Sequence, residues 1–176
     1  MRICQTFRHK FKAVTPGYIT PIQLDEIASM IYCGRAVKLD WIKIREKLES
    51  VSLIGVMVQD MGEEYLVEDE KVMAVGVIKT PPGSYIERVF SEAGVKEMAT
   101  EFEYELGYAV TERKYRNMGW WIYMMKHFWS SIKNRNMFST TSNVKMIHIL
   151  EAFGFTKVGE RLRNDTTLLV YKSEIK

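Results

Sequence analysis

Two cysteines, Cys4 and Cys33, are too few to build a disulfide framework, so this 176-residue chain has to hold its fold by packing. Three histidines, His9, His127 and His148, stand far apart and give no metal-ligand spacing, so no metal is expected. No apolar run approaches the roughly 18 residues of a membrane span. The basic start is too polar around Phe7–Lys12 for a secretion signal. Repeats, low-complexity tracts and long linkers are missing as well. These absences leave a single domain in a reducing, cytoplasmic compartment as the expectation, with no membrane partner.

What is present suits a packed core. Hydrophobic residues make up 47% of the chain and aromatics 12%, which excludes wholesale disorder. The net charge of +3 is too small to announce nucleic acid, and Arg161 and Arg163 lack the interleaved aromatics of a stacking platform. Nucleic acid is therefore not an expected partner. Charge is nevertheless unevenly spread. Residues 60–105 carry twelve acids against Lys71, Lys79, Arg88 and Lys96, whereas residues 106–176 carry twelve bases against five acids. That polarity suits a cationic substrate at one edge and an anionic ligand at the other, or simply two solvated faces.

Periodicity gives a mixed order of elements. Pro21 to Tyr32 reads as a helix with Ile22, Leu24, Ile27, Ala28 and Ile31 on one face and Gly34 as its stop. A second helix runs from the N-cap Asp40 to Glu49. Ser52–Gln59 and Lys71–Lys79 read as strands joined by an acidic hairpin loop, and Pro81-Pro82 ends the second. Residues 83–100 carry no assignment. Phe102–Thr111 is a strand, Gly119–Asn134 a helix, Met137–Thr141 a strand and Val144–Phe153 a helix ended by Gly154. Phe155–Glu160 and Thr167–Lys172 close the chain as strands. The fold class is α/β (α+β), with a central strand feeding directly into a helix.

That strand–helix unit carries the chemistry. Glu105–Trp121 reads ELGYAVTERKYRNMGWW: an apolar strand, a basic turn, then a helix starting near Gly119. The first amides of a helix have no intrahelical partners and lie at the positive end of its dipole. Glycine there admits a close ligand, and Arg113, Lys114 and Arg116 add positive field, so the turn suits a pyrophosphate. An ordinary helix entry with a solvated basic loop uses the same residues, and on this stretch alone both readings stand.

A second segment, Asn143 to Gly159, reads NVKMIHILEAFGFTKVG: an asparagine before a short helix, then Gly-Phe, then Val-Gly. Together with Arg116-x-x-Gly119 after a strand, it resembles the GNAT superfamily of acyl-coenzyme A-dependent N-acyltransferases. The resemblance is clear over residues 102–172, the coenzyme-binding core, and extends in element order back to about residue 20; residues 1–50, an N-terminal strand and helices, would form the acceptor side. It implies a single domain with a mixed, mostly antiparallel central sheet flanked by helices, and a splayed strand pair for coenzyme A. It further implies acetyl-coenzyme A as cosubstrate. Arg116, Asn117, Met118, Gly119, Trp120 and Trp121 would hold its pyrophosphate through backbone amides. Tyr108, Ala109 and Val110 would pair with its pantetheine arm, and Asn143 would lie close to the coenzyme. Glu105 precedes Arg116 by the interval found for the catalytic glutamate of the histone-type branch, and would take a proton from the attacking amine.

Two positions depart from that pattern. Trp121 stands where glycine or alanine is usual, and Leu150 where many members place the tyrosine that protonates the leaving thiolate. If the Trp121 side chain points outward, the loop is blocked. Met57, Met73 and Met124 are candidates for an acyl pocket, and Ser139 to Ser142 for hydrogen bonds near the acyl group. The expected function is N-acetyl transfer to a primary amine of a small molecule, a lysine or a protein N-terminus. Acidic Glu87, Glu92, Glu97, Glu101 and Glu103 favour a cationic acceptor. The alternatives are a coenzyme-binding fold that has lost catalysis, and a binding module without coenzyme. A homodimer is left open.

Overall fold

The computed structural model describes residues 8–34, 37–60 and 71–173; the acidic loop expected between the first two central strands, and Cys4, lie outside them. Among the described residues seven strands form one sheet in the order β1-β2-β3-β4-β5-β7-β6. They are β1 (Arg8–Val14), β2 (Leu53–Asp60), β3 (Lys71–Lys79), β4 (Tyr104–Thr111), β5 (Met137–Thr141), β6 (Thr156–Lys157) and β7 (Thr167–Tyr171). The helices are α1 (Pro21–Cys33), α2 (Trp41–Glu49), α3 (Gly83–Glu92), α4 (Trp120–Ile132) and α5 (Val144–Ala152). β1 with β2, β5 with β7 and β6 with β7 are antiparallel, while β4 and β5 run parallel. Two compact units share the chain: one up to Val77 plus Tyr108–Trp129, the other Ile78–Gly107 plus Ser130 onward.

In the first unit, local signals start the helices where the sequence places them. Thr20 Oγ1 accepts from the Gln23 amide at 3.3 Å while Gln23 Oε1 accepts from the Thr20 amide at 3.4 Å, a reciprocal cap ahead of Pro21. Asp40 Oδ1 accepts from the Lys43 amide at 2.9 Å and opens α2. Gly34 does end α1, but with φ −72 it is right-handed. Its lack of a side chain serves a close approach instead: a Cβ would lie 2.6 Å from Cγ1 of Val110.

Alternation along β2 sorts its residues between two layers. Ile54, Val56 and Val58 join Leu24, Ile27, Ile31, Ile44 and Leu48 of α1 and α2. Between them Gly55 seats the ring of Phe128 from α4, 2.9 Å from the Cβ it lacks. Each fully buried leucine or isoleucine contributes about 1.5–3 kcal/mol, comparable to the roughly 1–2 kcal/mol of backbone entropy its residue loses. Met57, Met73 and Met124 are fully buried here and pack as core.

In the second unit three elements depart from the sequence reading. Residues 83–92 form α3, and Lys96–Glu101 a 3-10 turn. Ile86, Val89, Phe90 and Ala93, at i, i+3, i+4 and i+7, bury a face against Phe102, Phe138, Leu162, Leu168 and Val170. The strand expected over 155–160 shrinks to Thr156–Lys157, because Gly159 turns the chain away at φ +64. There Glu160 donates its amide to Ala93 O at 2.9 Å, and a Cβ on Gly159 would lie 2.1 Å from that same oxygen.

Candidate active site

β4 delivers the chain into the basic turn. At its end Glu112 donates its amide to Met73 O at 2.8 Å, and its carboxylate caps the 3-10 turn Arg113–Tyr115 by accepting from the Lys114 amide at 3.0 Å. The Tyr115 hydroxyl is hydrogen-bonded to Gln59 Oε1, and Arg116 Nε donates to Thr111 O at 3.0 Å. These bonds tie the turn to β2, β3 and β4 before the helix begins.

Between Arg116 and α4 the backbone takes two left-handed residues, Asn117 at φ +62 and Gly119 at φ +78. An alternation of right- and left-handed residues is the backbone pattern that can turn successive amides toward one point. Gly119 O then accepts from the Tyr123 amide at 3.0 Å, the first bond of α4. A Cβ built on Gly119 meets nothing within 4 Å, so the space beside that residue is open.

Trp121, the irregular position, turns inward. Its side chain is 6% exposed, and its indole nitrogen is buried without a hydrogen-bond partner. Trp120 packs its ring 4.3 Å from His9 of β1. Neither indole closes the turn, and the loop residues Arg116 to Gly119 are exposed. Beside the turn opens a cleft of 720 Å³, walled by Met30, Cys33 and Gly34 at the end of α1 and by Val110, Arg113 and Arg116.

Glu105 lies in the second unit and is 5% exposed, deeper than a half-buried base would be. An isolated carboxylate at such depth is costly. Here Lys79 Nζ lies 2.7 Å from Oε2, and the Tyr85 hydroxyl lies 3.5 Å from Oε1. Gly107 makes the ion pair possible: a Cβ there would sit 2.8 Å from Lys79 Cε and 2.9 Å from Nζ. Burial, then the Glu105 charge, pushes the Tyr85 pKa up to about 12, so it stays a protonated donor. The ladder from β4 to β5 joins Tyr104 to Met137 and Glu105 to Phe138. Just beyond, the Ser139 hydroxyl donates to Leu106 O at 2.8 Å, doing for that carbonyl what a ladder amide would.

Of the other expected residues, Tyr108 is buried at φ +50, a bend in β4 between Glu105 and Val110. Asn143 caps α5, accepting from the amides of Lys145 and Met146 at 3.0 and 3.4 Å. Leu150 is buried in α5. Lys79, Tyr85 and Gly107 are the site residues that sequence reasoning passed over. Only Tyr85 carried a usable signal, through the helical spacing of the segment that holds it. Among the described residues no group of three or more His, Cys, Asp or Glu could hold a metal ion, and no helix is long and apolar enough to cross a membrane.

A strand that feeds a left-handed turn and a helix thus runs parallel to its neighbour β5 in the sheet. The fold is that of the GNAT acyl-coenzyme A N-acyltransferases. An acyl-CoA N-acyltransferase from Pseudomonas aeruginosa superposes with a TM-score of 0.62 over 94% of this chain and 100% of its own, at 10% identity. The ribosomal-protein-S18-alanine N-acetyltransferase from Escherichia coli gives 0.62 over 95% and 96%, also at 10% identity. Arabidopsis thaliana NAA60, solved in complex with acetyl-CoA, gives 0.61 over 93% and 98% at 12% identity. No family model and no curated protein sequence matches the chain.

Proposed function

We propose that the chain is an N-acetyltransferase that moves an acetyl group from acetyl-coenzyme A to a primary amine by direct attack. The observation that carries this reading is the open left-handed turn at Asn117–Gly119, which follows the strand bearing buried Glu105. The amides of Met118 to Trp121 and the Arg116 guanidinium suit the coenzyme pyrophosphate, and inward Trp121 leaves that cradle clear. The backbone of Tyr108–Val110 offers hydrogen-bonding groups to the donor's arm. Asn143, whose Oδ1 already accepts from two amides at the start of α5, would reach the coenzyme with its Nδ2 hydrogens as donors.

In the reaction the neutral amine attacks the thioester carbonyl, the carbon–sulfur bond breaks and the coenzyme leaves as a thiolate. Glu105 takes the proton that the amine sheds, directly or through water; such transfers are worth about 100- to 10,000-fold in rate. The acceptor class stays broad: a small molecule, a lysine or a protein N-terminus. A neighbour named for ribosomal-protein S18 alanine keeps protein amines within it.

Thiol release from acetyl-coenzyme A across polyamines, aminoglycosides and lysine peptides tests the proposal. Release that depends on an added amine supports it. A second reading, coenzyme binding without catalysis, is favoured by buried Leu150 and by Lys79 standing on Glu105. Binding of acetyl-coenzyme A with no thiol release under any amine would select that second reading.

A further inference from the structure

A base that is to deprotonate an incoming amine already has an amine against it. Lys79 Nζ lies 2.7 Å from Glu105 Oε2, and one fifth of the Lys79 side chain reaches solvent. The pairing is built rather than incidental. Lys79 crosses the bare backbone of Gly107 to reach the carboxylate, and the other carboxylate oxygen faces the Tyr85 hydroxyl at 3.5 Å. Most other lysines that pair with acids do so at the surface, as Lys43 with Asp40, Lys157 with Glu151 and Lys172 with Glu101. The described ion pairs thus hold one lysine that shares a buried carboxylate with a hydrogen-bonding tyrosine.

We infer that Lys79 is itself an acyl acceptor, modified by the protein's own transfer reaction. The inference rests on the proposed N-acyltransferase function and names an internal substrate for the same carboxylate. Glu105 takes one proton from the Lys79 ammonium. The freed Nζ lone pair attacks the carbonyl carbon of an acyl-coenzyme A thioester, a carbon–nitrogen bond forms and the carbon–sulfur bond breaks. The coenzyme departs as a thiolate. The second amine proton leaves the new amide nitrogen and reaches the thiolate through solvent. The product is a neutral amide at residue 79, which no longer neutralises Glu105; once Glu105 has passed the proton it took to water, its carboxylate is available to an external ammonium.

The test is peptide mapping by mass spectrometry after incubating the full chain with isotope-labelled acetyl-coenzyme A. Calorimetry on the same sample shows whether the coenzyme binds. The expected result is one labelled acetyl group on Lys79, gained faster than on exposed Lys43. Glu105→Gln should slow that labelling about 100-fold, the lower end of a lost proton transfer. Lys79→Arg, which keeps the ion pair, should fold as the parent and lose the label. Circular dichroism on each variant separates a chemical effect from unfolding, and if Glu105→Gln unfolds, Lys79→Arg together with the Lys79-to-Lys43 ratio decides. Binding of coenzyme with Lys79 labelled no faster than Lys43, or at a rate indifferent to Glu105→Gln in a folded variant, overturns this inference and leaves the proposed function standing. Absence of coenzyme binding overturns both.

Discussion

Lys79 reaches Glu105 because Gly107 has no side chain: the Cβ that an alanine would add there falls 2.8 Å from Lys79 Cε. The atoms in the way are the far end of a flexible side chain, so the substitution displaces Lys79 without disrupting the strand. Gly107→Ala should therefore fold, with a urea midpoint corresponding to a loss near the low end of the about 1–3 kcal/mol typical of overpacking. Acetyl labelling of Lys79 should fall about 100-fold, the penalty of an ångström-scale misplacement of reacting groups. Equal labelling in parent and variant would show that the ion pair has no part in the reaction.

Trp121 is predicted to be a core residue with a polar cost. Its indole N–H is buried and unsatisfied, which costs about 1–3 kcal/mol. Trp121→Phe removes that donor along with some volume, so the two effects offset and the urea midpoint should stay close to the parent's. Trp121→Ala removes the donor too but deletes the whole ring, so the packing loss dominates and it should cost about 3–5 kcal/mol. Chemical denaturation of both variants checks the pair, and a large loss in Trp121→Phe would contradict the account.

Alkaline stability should track Tyr85. Its folded pKa of about 12 lies above the ordinary value of 10.0, so the unfolded chain releases this proton first as pH rises. The contribution is fully present below pH 10 and disappears as pH climbs from 10 to 12. Tyr85→Phe has no such proton. The stability difference between parent and Tyr85→Phe, measured by urea unfolding from pH 8 to 12, should move in the variant's favour above pH 10. A difference that stays constant with pH would contradict the assignment.

Much of this was legible in the sequence, and the rest had physical reasons to be hidden. Helix α2 begins at its Asp40 cap because capping is local chemistry. Trp121, Met124, Met125, Phe128 and Ile132 share the spacing that turns Trp121 inward, so the direction of its indole was already in the pattern. Helix α3 was readable too, in Ile86, Val89, Phe90 and Ala93, but a Pro-Pro-Gly start without a side-chain cap concealed it. The Lys79–Glu105 pair was not readable. It depends on how two strands 26 residues apart lie against each other, and no local periodicity encodes that.

The turn itself should respond to Gly119. Alanine there has room but must hold φ near +78, at a cost of roughly 1–2 kcal/mol for a residue with a Cβ. If the turn relaxes instead, its amides diverge and any anion they hold is lost.

Calorimetric titration of acetyl-coenzyme A into the parent and Gly119→Ala therefore bears most directly on the central claim. Saturable one-to-one binding by the parent, weakened about tenfold or more in the variant, as follows from a loss of about 1.4 kcal/mol, is the predicted result. No heat with the parent, or equal affinity in both chains, would contradict a pyrophosphate cradle at Arg116–Trp121.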